Sequence, residues 1–123
     1  MKTGIELIAE ERQRQINEEG FSLEHDMNRI NGELANAAAY YAFTDELINV
    51  ISSKDLGKQL IMFIWPFELE WLKRTPNNRI RDLQKAGALI AAEIDRLILV
   101  NKKLFEEIEN NSESLINLEK KQL

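Results

Sequence analysis

Apolar positions recur every three or four residues along most of this chain. The longest run starts near Arg79, where Ile80, Leu83, Gly87, Ile90, Ile94 and Ile98 form one stripe, widened by Ala86, Leu89, Leu97 and Val100. A helix apolar over so broad a face is predicted to be the central rod of a bundle. Asn110-Asn111-Ser112 is expected to interrupt it, leaving an amphipathic tail from Ser114 suited to packing on a partner subunit. At the other end, Thr3 and Glu6 form a capping box that opens a helix carrying Ile5, Ile8, Arg12 and Ile16, with Gly20 as its stop. Residues 22–30 show no period and read as an ordered loop or a single turn. Asn31 is the expected N-cap of a further helix through Leu34, Ala37, Ala38 and Tyr41. Residues 45–51 read as helical, with a break after them and a new cap at Ser53. The run Leu60-Ile61-Met62-Phe63-Ile64-Trp65 fits a short buried strand or a helix, because periodicity alone does not separate the two. Pro66 and Pro76 punctuate the stretch before the long helix, and Pro76-Asn77-Asn78 is a turn.

These elements predict an all-α fold, a compact helical bundle with one long central helix, assembled as a homo-oligomer. At 123 residues the chain is expected to be a single domain, with residues 1–110 as core bundle and 111–123 as tail. The absence of Cys excludes a disulfide scaffold, a thiolate metal site and a thiol nucleophile, and a single His excludes a two-His metal site within one chain. A net charge of -5 argues against general nucleic-acid binding but leaves room for a local cationic pocket. No apolar run reaches the ~20 residues of a membrane span, and the start lacks a signal-peptide core, so a cytosolic protein with no membrane partner is expected.

Candidate chemistry concentrates on the long helix. Lys85, Ala88, Ala92 and Arg96 share one face, and two cations separated by small alanines leave a trough for a flat anionic ligand. Arg96 would offer paired hydrogen bonds to a phosphate and Lys85 a point charge. Surface ion pairs with Asp82 and Glu93 are the competing reading. Glu93 sits at the edge of the apolar stripe and needs a cation, a donor or a metal; Glu33 poses the same question on the second helix. The two would share one Mg²⁺ or bracket one ligand if their helices face each other. His25, between Glu24 and Asp26, suits a base or ligand role only with an orienting partner, and otherwise bonds loop backbone. Trp65, Phe67, Trp71, Lys73, Arg74, Arg79 and Arg81 interleave aromatics with cations, a combination that stacks a base and pairs phosphates, or else plugs the core beside a basic loop.

Several short motifs run together: Glu10-Glu11-Arg12 with Gln15, Glu19-Gly20-Phe21, Glu24-His25-Asp26, Gly32-Glu33-Leu34, Trp65-Pro66, Arg81-Asp82-Leu83, and Lys85-Ala86-Gly87-Ala88-Leu89-Ile90 leading to Ala92-Glu93-Ile94-Asp95-Arg96-Leu97. In these the chain resembles the small helical phage and prophage proteins labelled dATP/dGTP diphosphohydrolase N-terminal, a group related to the MazG-like all-α nucleoside triphosphate pyrophosphohydrolases. The likeness extends from about Gly4 to Leu97, without residues 45–62. It implies nucleotide handling, with a location in the host cytoplasm. MazG-like enzymes hold Mg²⁺ over a triphosphate with Glu-x-x-Glu on one helix and Glu-x-x-Asp on another. Here Asn36 stands after Glu33 and Arg96 after Glu93 at those spacings, so the faces are mixed with cations. The resulting expectation is a cofactor-free protein that sequesters a phosphorylated nucleotide, such as a host immune signal, without turnover. Lys85, Arg96, Arg79, Arg81 and Lys73 would grip phosphates, Trp65 or Trp71 would stack the base, and His25, Asp26, Glu33 or Glu93 would read ribose or base. The alternatives are a Mg²⁺-dependent diphosphohydrolase with Glu33, Asp26 and Glu93 as metal ligands, and a helical interaction module with no small ligand.

Overall fold

A computed structural model describes residues 1–54, 56–68 and 73–122, the last without its side chain. Six helices run in order: α1 (Gly4–Glu19), α2 (Leu23–Asp26), α3 (Glu33–Ala42), α4 (Asp45–Ser52), α5 (Gly57–Ile64) and α6 (Arg79–Gln122). No strand occurs among the described residues, so the fold is all-α as predicted, and the apolar run at 60–64 resolves as helix. At 1.5 Å per residue, the 44 residues of α6 extend over roughly 66 Å. The folded body surrounds only the first part of that rod: α1, α2 and α3 all pack on α6, and α4 and α5 pair with each other.

The local signals explain most boundaries. Thr3 accepts from the Glu6 N–H and Glu6 answers at Thr3, completing the capping box of α1, and Gly20 closes the helix in the left-handed conformation at φ 72. Ser22 caps α2 by accepting from the His25 N–H, and Thr44 does the same for α4 at Leu47. Two expected caps are displaced. Gly32, not Asn31, precedes α3, because the chain turns there at φ 77; Asn31 instead donates its N–H to Glu33 Oε1 at 3.0 Å. Ser53 ends α4 rather than opening α5, its hydroxyl donating to the Val50 carbonyl at 2.7 Å.

The larger departure concerns the long helix. Ile80, Leu83, Ile90, Ile94 and Ile98, expected to face the core, are 43–67% exposed. The buried side of α6 carries Ala86, Leu89 and Ala92, which share one core cluster with Ala37 and Ala38 of α3, and Ala88 is buried beside them. Small side chains on both helices allow close approach, so the bundle is built on the alanine face and the isoleucine face is left outward. Gly87 lies under α1: a Cβ there would come within 2.5 Å of the Ile8 side chain. Nor is α6 interrupted at residues 110–112, since the helix continues to Gln122. No described helix is long and apolar enough to cross a membrane.

A cationic and aromatic cleft beside the long helix

The termini of α3 and α6 are tied by charge before any pocket forms. The α3 C-terminus leaves unpaired carbonyls and a negative dipole end. Arg74 donates to the Tyr40 carbonyl at 2.6 Å, the Phe43 carbonyl at 2.9 Å and Asp45 Oδ1 at 2.6 Å. Arg79 donates to the carbonyls of Phe43 at 2.7 Å and of Ala42. Asp82, 2% exposed, accepts the Thr75 N–H at 2.8 Å and so fixes the segment that enters α6. These bonds set residues 73–75 against Lys85.

Between α1, α2, α3, α6 and residues 65–68 with Lys73 lies a cleft of about 980 Å³. Among the described residues, five cations line it (Arg14, Arg29, Lys73, Arg81 and Lys85) against three carboxylates (Glu11, Glu19 and Glu68), in a protein of net charge -5. Phe21, His25, Tyr41, Trp65 and Phe67 supply its aromatic wall. Such a mixture of focused positive charge and ring surface is an anion-attracting, base-stacking environment.

Glu11 organises the cationic side. Its carboxylate, 2% exposed, receives Arg14 at 2.6 and 3.0 Å and Arg81 at 2.9 and 3.1 Å. Burial pushes the Glu11 carboxyl up, but the hydrogen bonds and charges of Arg14 and Arg81 outweigh it and hold it below the usual value. The same pairing, led by the Glu11 hydrogen bond, holds Arg14 above its ordinary value. One buried carboxylate thus sets two guanidinium groups side by side, and Arg14 is further engaged by Glu18 at 3.3 Å and Glu19 at 3.0 Å, which leaves Arg81 the less neutralised of the two. Lys85 Nζ donates to the Lys73 carbonyl at 2.5 Å and to Thr75 Oγ1 at 3.2 Å, and lies 5.5 Å from the Tyr41 ring centre. Burial, with Arg81 adding repulsion, pushes its ammonium below the usual lysine range. An arriving anion would relieve both effects.

Trp65 is only 5% exposed and its ring packs on Tyr40, Tyr41 and Phe67, each 5.6 Å away between centres. Its indole N–H is taken by the Glu68 carbonyl at 3.0 Å. Trp65 therefore forms the floor of the cleft, while Phe67, under the Arg29 guanidinium at 4.9 Å, stands higher on the wall. His25 stacks on Phe21 at 5.3 Å and shares Nδ1 with Asp26 Oδ1 at 3.2 Å. The Gln15 carboxamide lies 4% exposed in the cleft, with its Oε1 lacking any hydrogen-bond partner among the described residues.

No family model, curated protein or solved structure matches this chain. The functional reading therefore rests on the cleft itself.

The cleft brings together Lys85, Arg81, Lys73, Trp65 and His25 from the residues singled out in the sequence, and leaves others elsewhere. Trp71 lies outside the described residues. Arg79 is spent on α3 carbonyls. Arg96, 7% exposed, donates to Glu93 at 2.5 Å, and both sit in the packed interior of the bundle. The trough expected between Lys85 and Arg96 is filled, because Ala88 and Ala92 are fully buried. Asp26 is enclosed between Arg12, at 3.3 Å, and His25. Glu33 accepts from Asn31 through one oxygen. Glu33, Asp26 and Glu93 thus have separate engagements, and no group of three or more His, Asp or Glu side chains among the described residues is placed to hold a metal ion. Reasoning from sequence misses Glu11, Arg14, Gln15, Phe21 and Arg29 as site residues. A signal exists for Glu11 and Gln15, two polar residues four apart on an otherwise amphipathic helix, both buried here.

Proposed function

We infer that the cleft binds a phosphorylated nucleotide and holds it without turnover. The single observation behind this reading is the convergence of Lys85, Arg81 and Arg14 with an aromatic wall in one 980 Å³ cavity of an otherwise acidic protein. The volume lies near the top of the ~300–1,000 Å³ range of small-molecule pockets. In the bound state Lys85 and Arg81 pair with phosphate oxygens, with Arg14 adding its charge behind them, since a guanidinium presents directed donors and the ammonium a compact charge. The base stacks against Phe67 or the Phe21–His25 pair, and Gln15 Oε1 accepts from a ribose hydroxyl or a base N–H.

Storage is favoured over hydrolysis because the cleft carboxylates are neutralised. Glu11 is held by two arginines and Glu19 by Arg14 at 3.0 Å, leaving little concentrated negative charge for a metal-activated water. The resemblance of residues 81–97 to phage proteins that handle nucleotides supports the same class of ligand, a host signalling nucleotide among them.

Incubating the protein with a nucleotide pool, washing it, and releasing the ligand by heat tests this directly. Mass spectrometry should recover an intact phosphorylated nucleotide, and Lys85→Ala with Arg81→Ala should abolish its retention. Recovery of a monophosphate and pyrophosphate, dependent on Mg²⁺, would replace storage by a diphosphohydrolase. Retention of nothing by the wild-type protein would end both readings.

A further inference from the structure

The distal half of α6 is exposed along its length. Every side chain from Asn101 to Lys121 is exposed, and Leu104, Phe105, Ile108 and Leu115 are more than half exposed. A helix without packing is marginal in water, because most helical stability in proteins comes from burying an apolar face. Monomeric proteins also rarely expose contiguous apolar patches above a few hundred Å². Ile90, Ile94, Leu97, Leu104, Ile108, Leu115 and Leu118 are each 44–62% exposed, together on the order of 700 Å² and close to the ~800 Å² that each partner contributes to a standard interface.

The spacing identifies what covers this face. Ile90, Ile94, Leu97, Leu104, Ile108 and Leu115 lie on alternating three- and four-residue steps, with Asn101 and Asn111 at the intervening positions and Leu118 continuing the series. This is a heptad seam, and the natural occupant of a heptad seam is another helix with the same repeat. The seam is open beyond Gly87, where the Ile8 side chain of α1 occupies it. From Ile94 to Leu118 the seam reads the same in both directions about Glu106. An antiparallel copy centred there sets Leu104 against the partner's Ile108, Leu97 against the partner's Leu115 and Ile94 against the partner's Leu118. It also sets Asn101 against the partner's Asn111, so the polar positions meet each other rather than a leucine. A shift by one heptad in either direction would put each asparagine against an apolar side chain, and a buried asparagine of this kind is a known register device.

We propose that a second copy of this chain docks antiparallel along residues 90–122, with the two folded bodies at opposite ends of the paired rods. The contact is isologous, as a two-fold dimer requires. It lies away from the cleft, so its failure and failure of nucleotide binding are separately visible.

Sedimentation equilibrium of the full chain at tens of micromolar should give an even multiple of the 14.3 kDa chain mass. Ile108→Asp should give a monomer that keeps the near-ultraviolet signature of the folded body. The chain has no Cys, so introduced thiols report register cleanly. A mixture of Asn101→Cys and Asn111→Cys chains should form a disulfide-linked heterodimer under mild oxidation, while either alone stays unlinked. A monomeric wild-type chain would overturn the proposal. So would self-linking of Asn101→Cys alone, which marks a parallel pair.

Discussion

The two halves of α6 share one backbone conformation and almost nothing else. Residues 79–96 pack alanines against α3, bury Asp82, Glu93 and Arg96 with their partners, and present Lys85 and Arg81 to the cleft. Residues 101–121 are exposed throughout and carry their apolar side chains outward, with only Leu99 and Val100 half-buried just before them. Helical periodicity is equally strong in both, so periodicity reports that a helix forms and is silent on which of its faces meets its own chain. The apolar stripe of the proximal half is the outward face, because a second and tighter surface of small residues was available to α3.

Glu11→Gln gives the largest effect expected from this contrast. It leaves two guanidinium groups facing a neutral amide in a buried setting, and breaking such a pair typically costs about 3–5 kcal/mol. Denaturant unfolding should show a loss of this size in the proximal body, with the distal helix signal tracking it only through cooperativity. The pH dependence is equally directed. Because the native Glu11 carboxyl is held below its ordinary value of 4.5, its stabilisation is fully present above that value. It disappears as pH falls through the lower native value, so Glu11→Gln should flatten the acid limb of the stability curve.

Leu89→Ala and Leu115→Ala sharpen the comparison at equal chemistry. Leu89 is 4% exposed, and its truncation should cost about 2–4 kcal/mol whatever the protein concentration. Leu115 is 62% exposed in the single chain, so its truncation should leave body stability within about 0.5 kcal/mol while weakening self-association. A concentration-independent loss of several kcal/mol at Leu115 would break the contrast.

Lys85→Ala should weaken nucleotide binding by about ten-fold or more, near 1.4 kcal/mol, in calorimetry. With its ammonium held below the usual lysine range, affinity should fall on the alkaline side at a pH below 10.5, and Lys85→Arg should move that fall upward. Smallest of all, Ser114→Ala removes a hydroxyl that bonds back to the Asn110 carbonyl and should raise distal helicity by a few tenths of a kcal/mol. Circular dichroism would register it, and the melting of the body would not.

The cleft shows how far residue-level reasoning reaches. Lys85, Arg81, Lys73, Trp65 and His25 are recognisable as cations and aromatics in a suggestive order, and they do converge. Arg79 and Arg96 carry the same signal and go elsewhere. One neutralises carbonyls at the end of α3, and the other meets a carboxylate three residues away inside the core. A charged side chain looks the same in a sequence whether it serves a ligand or a helix terminus, because the difference lies in which backbone arrives beside it.

What the sequence determined by itself is local. The Thr3–Glu6 capping box, the Gly20 stop and the all-helical class come from hydrogen bonds and backbone preferences spanning only a few residues. Tertiary structure decided everything that depends on choosing between faces. Alanines of α3 and α6 meet because close approach buries more backbone and side chain than the isoleucine face offers within one chain. That choice fixes where Glu11, Arg81 and Lys85 come together, some 70 residues apart in sequence for the first pair, and it is a property of non-local packing that no window along the chain contains.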